Sequence, residues 1–424
     1  MVTITALGAI VGLVIAILLI MKKVNPAYAL ILGSVIGGLI GGASVKETVG
    51  LMMSGAQSMI PAILRILTAG ILAGVLIETG AAKKIAETIV SKLGESKAIF
   101  AIVISTTILT MVGVFVDVSV ITVAPIAMAI AKRTNLSRTG VLIAMVGGGK
   151  AGNIMSPNPN SIAAADVFKV PLTSVMAAGI IPAIFGIIVS VIIAKLLSKK
   201  GSMISDEEVE KGIEEEKEIE THGPSFLAAI LGPLVAIIIL VLRPLFGIVI
   251  DPLIALPVGG FIGCLAMGKI KNFNGYCAFG LGKMVGVAIL LLGTGTLSGI
   301  IANSALKTVL TDFLASTGAP AFVLAPLAGI LMSGATASTT SGTAVGSQVF
   351  GPTLLSLGVP ALNSAAMIHS GATVLDHLPH GSFFHATGGS VNMDMKERLA
   401  LIPFESLVGL TLAVVSTIIY GILF

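Results

Sequence analysis

Two short polar stretches interrupt an otherwise apolar chain of 424 residues, and they hold the side chains that could bind and move a charged solute. The first reads Gly147-Gly148-Gly149-Lys150-Ala151-Gly152-Asn153-Ile154-Met155-Ser156-Pro157-Asn158-Pro159-Asn160. A lysine at the centre of a membrane span costs about 2.5–3.5 kcal/mol to insert, so it must meet a partner or reach an interface. Lys150 lies too deep in its segment to snorkel. Two partners fit: an anionic substrate, or a buried carboxylate such as Asp117. Asn153, Ser156, Asn158 and Asn160 add donors and acceptors beside exposed helix ends, where anions are favoured at N-termini. Such a set suits a hydroxy-acid or polyhydroxy ligand, or serves to cap a broken helix. A phosphate loop is excluded, because Ala144 and Ala151 stand where that pattern needs Gly and Ser or Thr.

The second stretch runs from His369 and Ser370 through Asp376, His377 and His380 to Ser382, with His385 just beyond. Histidine titrates near neutral pH, and Asp376 is a carboxylate inside an apolar segment, so these groups are candidates for proton coupling. Asp117 joins them as a second carboxylate inside an apolar stretch. His377 and His380 with one aspartate are too few to define a metal site, and no glutamate stands near to act as base. No metal and no cofactor is expected. A hydroxyl-rich run from Ser333 to Ser347 places Thr339, Thr340 and Ser341 where they could bond a ligand or satisfy a helix break. Arg65, inside another apolar segment, is expected to pair or to sit at an interface.

These residues need elements to hold them at membrane depth. With 55% hydrophobic and 11% charged residues, the chain belongs in a bilayer. Its net charge of +4 does not point to nucleic acid, because the basic residues fall between spans. Two cysteines, Cys264 and Cys277, are too few for a disulfide framework. Spans of about 20 apolar residues are expected near 2–21, 26–43, 59–79, 140–165 and 171–196, then 225–242, 252–268, 284–302, 361–387 and 403–423. The first is read as a retained span rather than a signal peptide. Two longer stretches, 98–131 and 320–352, are interrupted at Val116 to Ser119 and at Ser333 to Ser347. Both read as re-entrant hairpins, with two ordinary spans each as the alternative. Segments 81–93 and 303–315 are amphipathic and read as interfacial helices. The acidic segment 199–223 reads as a solvated cytoplasmic linker between two halves.

The halves look alike. Ala144-Met145 corresponds to Ala366-Met367, Gly149 to Gly371, Pro157 to Pro379 and Ala164 to Ala386. Paired interrupted segments in two halves are the best sequence pointer to a transporter's binding site. The fold expected is an all-α polytopic membrane protein of two inverted repeats. Each repeat has five transmembrane helices, one re-entrant hairpin and one broken helix. Of the 25 Lys and Arg, all but Lys46, Arg65, Lys150, Lys169, Arg243 and Lys307 then fall on the cytoplasmic side, which matches the positive-inside rule with both termini external. An enzyme would need a nucleophile or metal constellation that the chain does not offer. A channel is disfavoured because the breaks are asymmetric and no charge ring appears.

Gly147-Gly148-Gly149, the run Ser156-Pro157-Asn158-Pro159-Asn160 followed by Ile162-Ala163-Ala164-Ala165, and the Ser/Thr/Gly hairpin tip resemble the gluconate permease family of the ion transporter superfamily. The resemblance covers nearly the whole chain. It implies proton-coupled symport of a sugar acid or small hydroxy-carboxylate in a bacterial inner membrane. It also implies a homodimer and an elevator motion, in which hairpins and broken helices move against a scaffold. On that basis 1–94 and 224–316 are the scaffold, 95–198 and 317–424 the transport parts, and 199–223 the linker. Gluconate-type members carry an Asn-Asp-Ser-Gly-Phe-Trp run late in the chain, where this one reads Asp376-His377-Leu378-Pro379-His380-Gly381-Ser382-Phe383-Phe384. Smaller acids such as hydroxybutyrate, lactate or glycerate therefore stand beside gluconate. Sodium-coupled or antiporting carriage on the same scaffold is the alternative, since Asn, Ser and unwound carbonyls also suit Na+.

Overall fold

A computed structural model of the chain describes residues 3–205, 223–306, 308, 309, 312, 316 and 318–424. The described residues form helices, with two isolated β-bridges and no strand. In chain order we name α1 (Ala6–Met21), α2 (Pro26–Ile40), α3 (Val45–Gln57), α4 (Ile60–Glu78), α5 (Ala81–Leu93), α6 (Ala98–Met111), α7 (Val116–Arg133), α8 (Arg138–Asn153), α9 (Pro159–Phe168), α10 (Leu172–Ala178) and α11 (Ile180–Leu197). There follow α12 (Phe226–Phe246), α13 (Pro252–Ala266), α14 (Phe273–Ala302), α15 (Leu324–Thr336), α16 (Thr339–Ser356), α17 (Ala361–Gly371), α18 (Ser382–Gly389), α19 (Met395–Ala400) and α20 (Ile402–Thr417). Among the described residues, five helical stretches are individually long and apolar enough to cross a bilayer, or six if the α5–α6 pair, bent by 100°, is one span.

Several boundaries differ from the sequence reading, each for a physical reason. The Gly147–Gly149 run and Lys150 do not break their helix; α8 continues to Asn153, and the interruption covers 154–158. The glycines instead let neighbours approach. A Cβ on Gly148 would lie 2.2 Å from the Val103 carbonyl oxygen on α6, and one on Gly152 would lie 2.2 Å from that of Thr107. The prolines end the helix, since Pro157 and Pro159 lack the N–H that an unbroken ladder needs. The first hairpin turns at 112–115, so Asp117 sits in the first turn of α7 rather than at the break. The second turns at Ala337 and Ser338 alone, and most of the hydroxyl run is helical. Ala337 takes the left-handed conformation there, with φ 46°, which costs a non-glycine residue about 1–2 kcal/mol.

Three further differences concern ends. α14 begins at Phe273, well before the expected span at 284, so Lys283 is a helical residue and not a loop residue. α3 was not expected as a helix; its Ser44 and Glu47 form a reciprocal cap. The start of the linker is not simply solvated, because Ile204 is buried and Ser202 bonds Glu397 and Arg138. The acidic part of the linker, Asp206 to Glu218, lies outside the described residues, as does much of the amphipathic segment 303–315.

The packing that matters for the site is between distant parts of the chain. α8 and α11 lie against α20, and α9 lies against α16 and α17. α14 packs on α2, α3 and α4 and meets α16 on its other side, where the Ser298 hydroxyl contacts Gln348. Both breaks therefore end beside one another.

Candidate functional site

A cavity of about 500 Å³ opens where the two breaks and the two hairpin turns converge. Five helix N-termini supply its wall: Pro26 and Ala27 of α2, Val116 to Val118 of α7, Pro159 and Asn160 of α9, Thr339 to Ser341 of α16, and Ser382 and Phe383 of α18. Each N-terminus carries roughly half a positive charge, although on α9 Asn158 already takes the N–H groups of Asn160 and Ser161. α7 and α18 have no side-chain cap. α14 closes the remaining side with Lys283, Gly286, Val287, Ile289 and Leu290. The field in this space favours an anion.

The first break presents amides in fixed orientation. Asn158 caps α9, its Oδ1 accepting from the N–H of Asn160 and of Ser161 at 3.0 Å each. Its Nδ2 must then donate, and does so to the Asn153 carbonyl at 2.7 Å and the Asn153 Oδ1 at 2.5 Å. Asn153 Oδ1 also accepts from Asn160 Nδ2 at 3.2 Å. Asn160 Oδ1 is buried without a hydrogen-bond partner among the described residues. The chain of donors fixes every flip.

The second break presents charge. Asp376 lines the cavity, yet only 5% of it is exposed. Its Oδ2 accepts from the Thr339 hydroxyl at 2.5 Å, and its Oδ1 from Lys150 Nζ at 2.5 Å. Lys150 therefore pairs with Asp376 and not with Asp117, the carboxylate weighed from sequence. Among the described residues Asp117 bonds only the N–H of its neighbour Val118, at 2.9 Å, and it faces the cavity. The remaining donors of Lys150 go to the Thr373 carbonyl at 2.5 Å and His377 Nδ1 at 2.9 Å.

Behind this pair stand two residues that the sequence reading did not single out. Glu405 Oε2 lies 4.0 Å from His377 Nδ1, and Arg398 holds Glu405 at 2.5 and 3.2 Å. Arg398 also bonds the Phe384 carbonyl and Thr387, so it ties α19 and α20 to the second break. Glu405 was legible by the rule that singled out Lys150, being a carboxylate within an apolar span. Arg398 was not, because its flanks read as a loop.

Of the residues expected to bind substrate, Asn153, Asn158, Asn160, Thr339, Thr340 and Ser341 reach the cavity wall. Lys150, Ser156, His369 and Ser370 are buried off that wall. Of those expected to couple protons, Asp376 and Asp117 line it, and His377 sits directly behind Asp376. His380 bonds the Ala335 carbonyl at 3.2 Å, so it and His377 address different partners. Arg65 is paired, as expected, with Asp251 at 2.7 Å and with Asp166 at 2.5 Å.

Helices broken around a cavity that gathers polar side chains within an apolar body define a membrane transporter. The fold agrees with that of known carriers. It matches the YdaH transporter of Alcanivorax borkumensis over 96% of this chain and 98% of that one, with a TM-score of 0.68 at 14% identity. It also matches MtrF of Neisseria gonorrhoeae with a TM-score of 0.61 at 13% identity, covering 96% and 95% of the two chains. Residues 2–423 match the GntP family permease model, and the chain belongs to that family. It is 62% identical over 423 residues to an "uncharacterized transporter" of Haemophilus influenzae, covering 100% of this chain and 99% of that protein. It is 22% identical over 398 residues to the high-affinity gluconate transporter of Escherichia coli, covering 88% and 90% of the two. The protein is thus a multi-pass membrane transporter and not an enzyme, similar to permeases of the bacterial inner membrane.

Proposed function

We propose that the protein carries a small hydroxy-carboxylate or sugar acid, of the gluconate, glycerate or hydroxybutyrate class, together with protons. The observation that carries this reading is the convergence of five helix N-termini and the Asn153, Asn158 and Asn160 amides on one cavity beside Asp376. The N-termini suit the carboxylate, the amides suit hydroxyls, and the buried carboxylate and its histidine neighbour suit the coupling proton. Thr339, Thr340 and Ser341 add hydroxyls on the facing hairpin. Gluconate and L-idonate transport by relatives in Escherichia coli supports the substrate class.

In this reading the chain is two inverted repeats. The parts 95–198 and 317–424 form the mobile body, 1–94 and 224–316 form the scaffold and dimer contact, and 199–223 links the halves. Their packing supports the division, since α8, α9 and α11 lie against α16, α17 and α20. A second reading, sodium-coupled or antiporting carriage, draws on Asn160 Oδ1, a buried oxygen of the kind hard cations take and without a partner among the described residues. Uptake of labelled hydroxy acids into proteoliposomes separates the two. Accumulation that needs an inward proton gradient and persists when K+ replaces Na+ supports protons. Accumulation that needs Na+ at fixed pH supports the second reading, and no uptake of any hydroxy acid overturns both.

A further inference from the structure

The Lys150 ammonium has three N–H groups and three acceptors: the Thr373 carbonyl, Asp376 Oδ1 and His377 Nδ1. No donor remains for a substrate. His377 is fixed as well. Its Nε2 lies 3.0 Å from the Ile402 carbonyl, which can only accept, so Nε2 carries the hydrogen. The Ser406 hydroxyl, 3.2 Å from the same nitrogen, does not alter this. Nδ1 then faces both Lys150 Nζ at 2.9 Å and Asp376 Oδ1 at 3.1 Å. A second proton on Nδ1 would face the ammonium at 2.9 Å, Asp376 Oδ1 at 3.1 Å and Glu405 Oε2 at 4.0 Å, but the ring lies off the cavity wall behind Asp376, so a proton arriving from the cavity reaches Asp376 first. Glu405 is committed to Arg398. Among the described acidic and histidine groups of this buried cluster, that leaves Asp376 at the cavity wall, its Oδ2 touching a hydroxyl that can donate or accept.

The charges in the cluster sum to zero, with Lys150 and Arg398 positive and Asp376 and Glu405 negative. Asp117 and Lys283, on other faces of the cavity, also cancel. A monovalent anion entering this space adds one negative charge beside the buried cluster, and an uncompensated buried charge is expensive. One proton on Asp376 restores neutrality by freeing the Lys150 charge from its carboxylate. We propose that Asp376 takes the coupling proton, that Lys150 is the internal cation whose pairing with Asp376 the proton replaces, and that one proton accompanies each monovalent anion. The proposal rests on the proton-coupled reading above. The step moves a proton from cavity water to an Asp376 oxygen, and no other bond changes.

The test measures hydroxy-acid affinity and proton uptake together, on purified full-length protein with a pH-indicator dye. The natural protein is expected to take up one proton per anion bound. Its affinity should fall about tenfold per pH unit above the midpoint, because the bound state holds the extra proton. In Lys150→Met, Asp376 loses its counter-ion and stays protonated, so proton uptake and the pH slope both vanish. Lys150→Met/Asp376→Asn removes both charges at once and keeps the cluster balanced. It should fold and show the same flat pH profile, which guards against a folding defect in the single variant. If Lys150→Met, or the double variant, still takes up a proton with the original slope, the inference is overturned. If the natural protein binds a hydroxy acid with no proton uptake, the proton-coupled reading itself fails instead.

Discussion

The two broken helices meet at one cavity but bring opposite chemistry to it. The break between α8 and α9 is neutral, and its amides lock one another: Asn158 caps α9 and holds Asn153, which in turn holds Asn160. The break between α17 and α18 is longer, and its partners come from elsewhere: Lys150 from α8, Thr339 from α16, Glu405 from α20. A self-contained amide wall can recognise a ligand without responding to it. A carboxylate held by side chains from two other helices responds to every change of charge or position among them. On the proposed function, recognition falls to the first break and coupling to the second, and substitutions on either side can break that division.

The largest effect is expected at Arg398. Removing one partner of a buried pair leaves the other charge uncompensated, at a cost of about 3–5 kcal/mol. Arg398→Met should therefore lower thermal stability sharply, and Arg398→Met/Glu405→Gln should recover most of it; a stable single variant would remove Arg398 from the support of the second break. Asp376→Asn should come next in consequence. It should abolish accumulation against a gradient while exchange of internal for external substrate continues, measured by counterflow in proteoliposomes. Asn158→Ala strips the cap from α9, worth about 0.5–2 kcal/mol, and unlocks the amide chain. Both stability and substrate affinity should drop, while the pH dependence of transport keeps its shape. Asp117→Asn should do least, because among the described residues its carboxylate bonds only its neighbour's N–H, a contact worth about 0.5–1.5 kcal/mol.

Arg65 offers a contrast with Lys150. Both are basic residues within apolar helices, but Arg65 is 28% exposed where Lys150 is 1%. Arg65 on α4 joins Asp251 at the start of α13 to Asp166 on α9, whose N-terminus bears Asn160. If α9 moves against the scaffold, the Asp166 contact must open and the Asp251 contact need not. Neutralising Asp166 should then speed exchange more than neutralising Asp251 does.

Much of this arrangement was legible because polar residues in apolar spans are expensive and must be explained. That rule pointed to Lys150, Asp376, His377 and the asparagines, and the prolines marked the first break. What escaped were relations between distant segments. Nothing in local composition says that Lys150 meets Asp376 rather than Asp117, since both carboxylates lie in apolar surroundings and only the packing of α8 beside the second break decides. Gly147 to Gly149 misled for a similar reason: glycine serves equally to loosen a helix and to let one pack closely, and the difference lies in the neighbour, here Val103 and Thr107 on α6. Arg398 and Lys283 looked like loop charges because hydropathy windows blur helix ends.

The division between a recognising and a coupling break is tested most directly by comparing accumulation with exchange in Asn160→Ala and Asp376→Asn, reconstituted at equal density. Asn160→Ala should lose accumulation and exchange in proportion at limiting substrate, by about tenfold for one lost hydrogen bond, and recover both at saturation. Asp376→Asn should exchange at every concentration and accumulate at none. If both variants instead lose accumulation and exchange in the same ratio, and saturation rescues both alike, the two breaks share one role and the assignment is wrong.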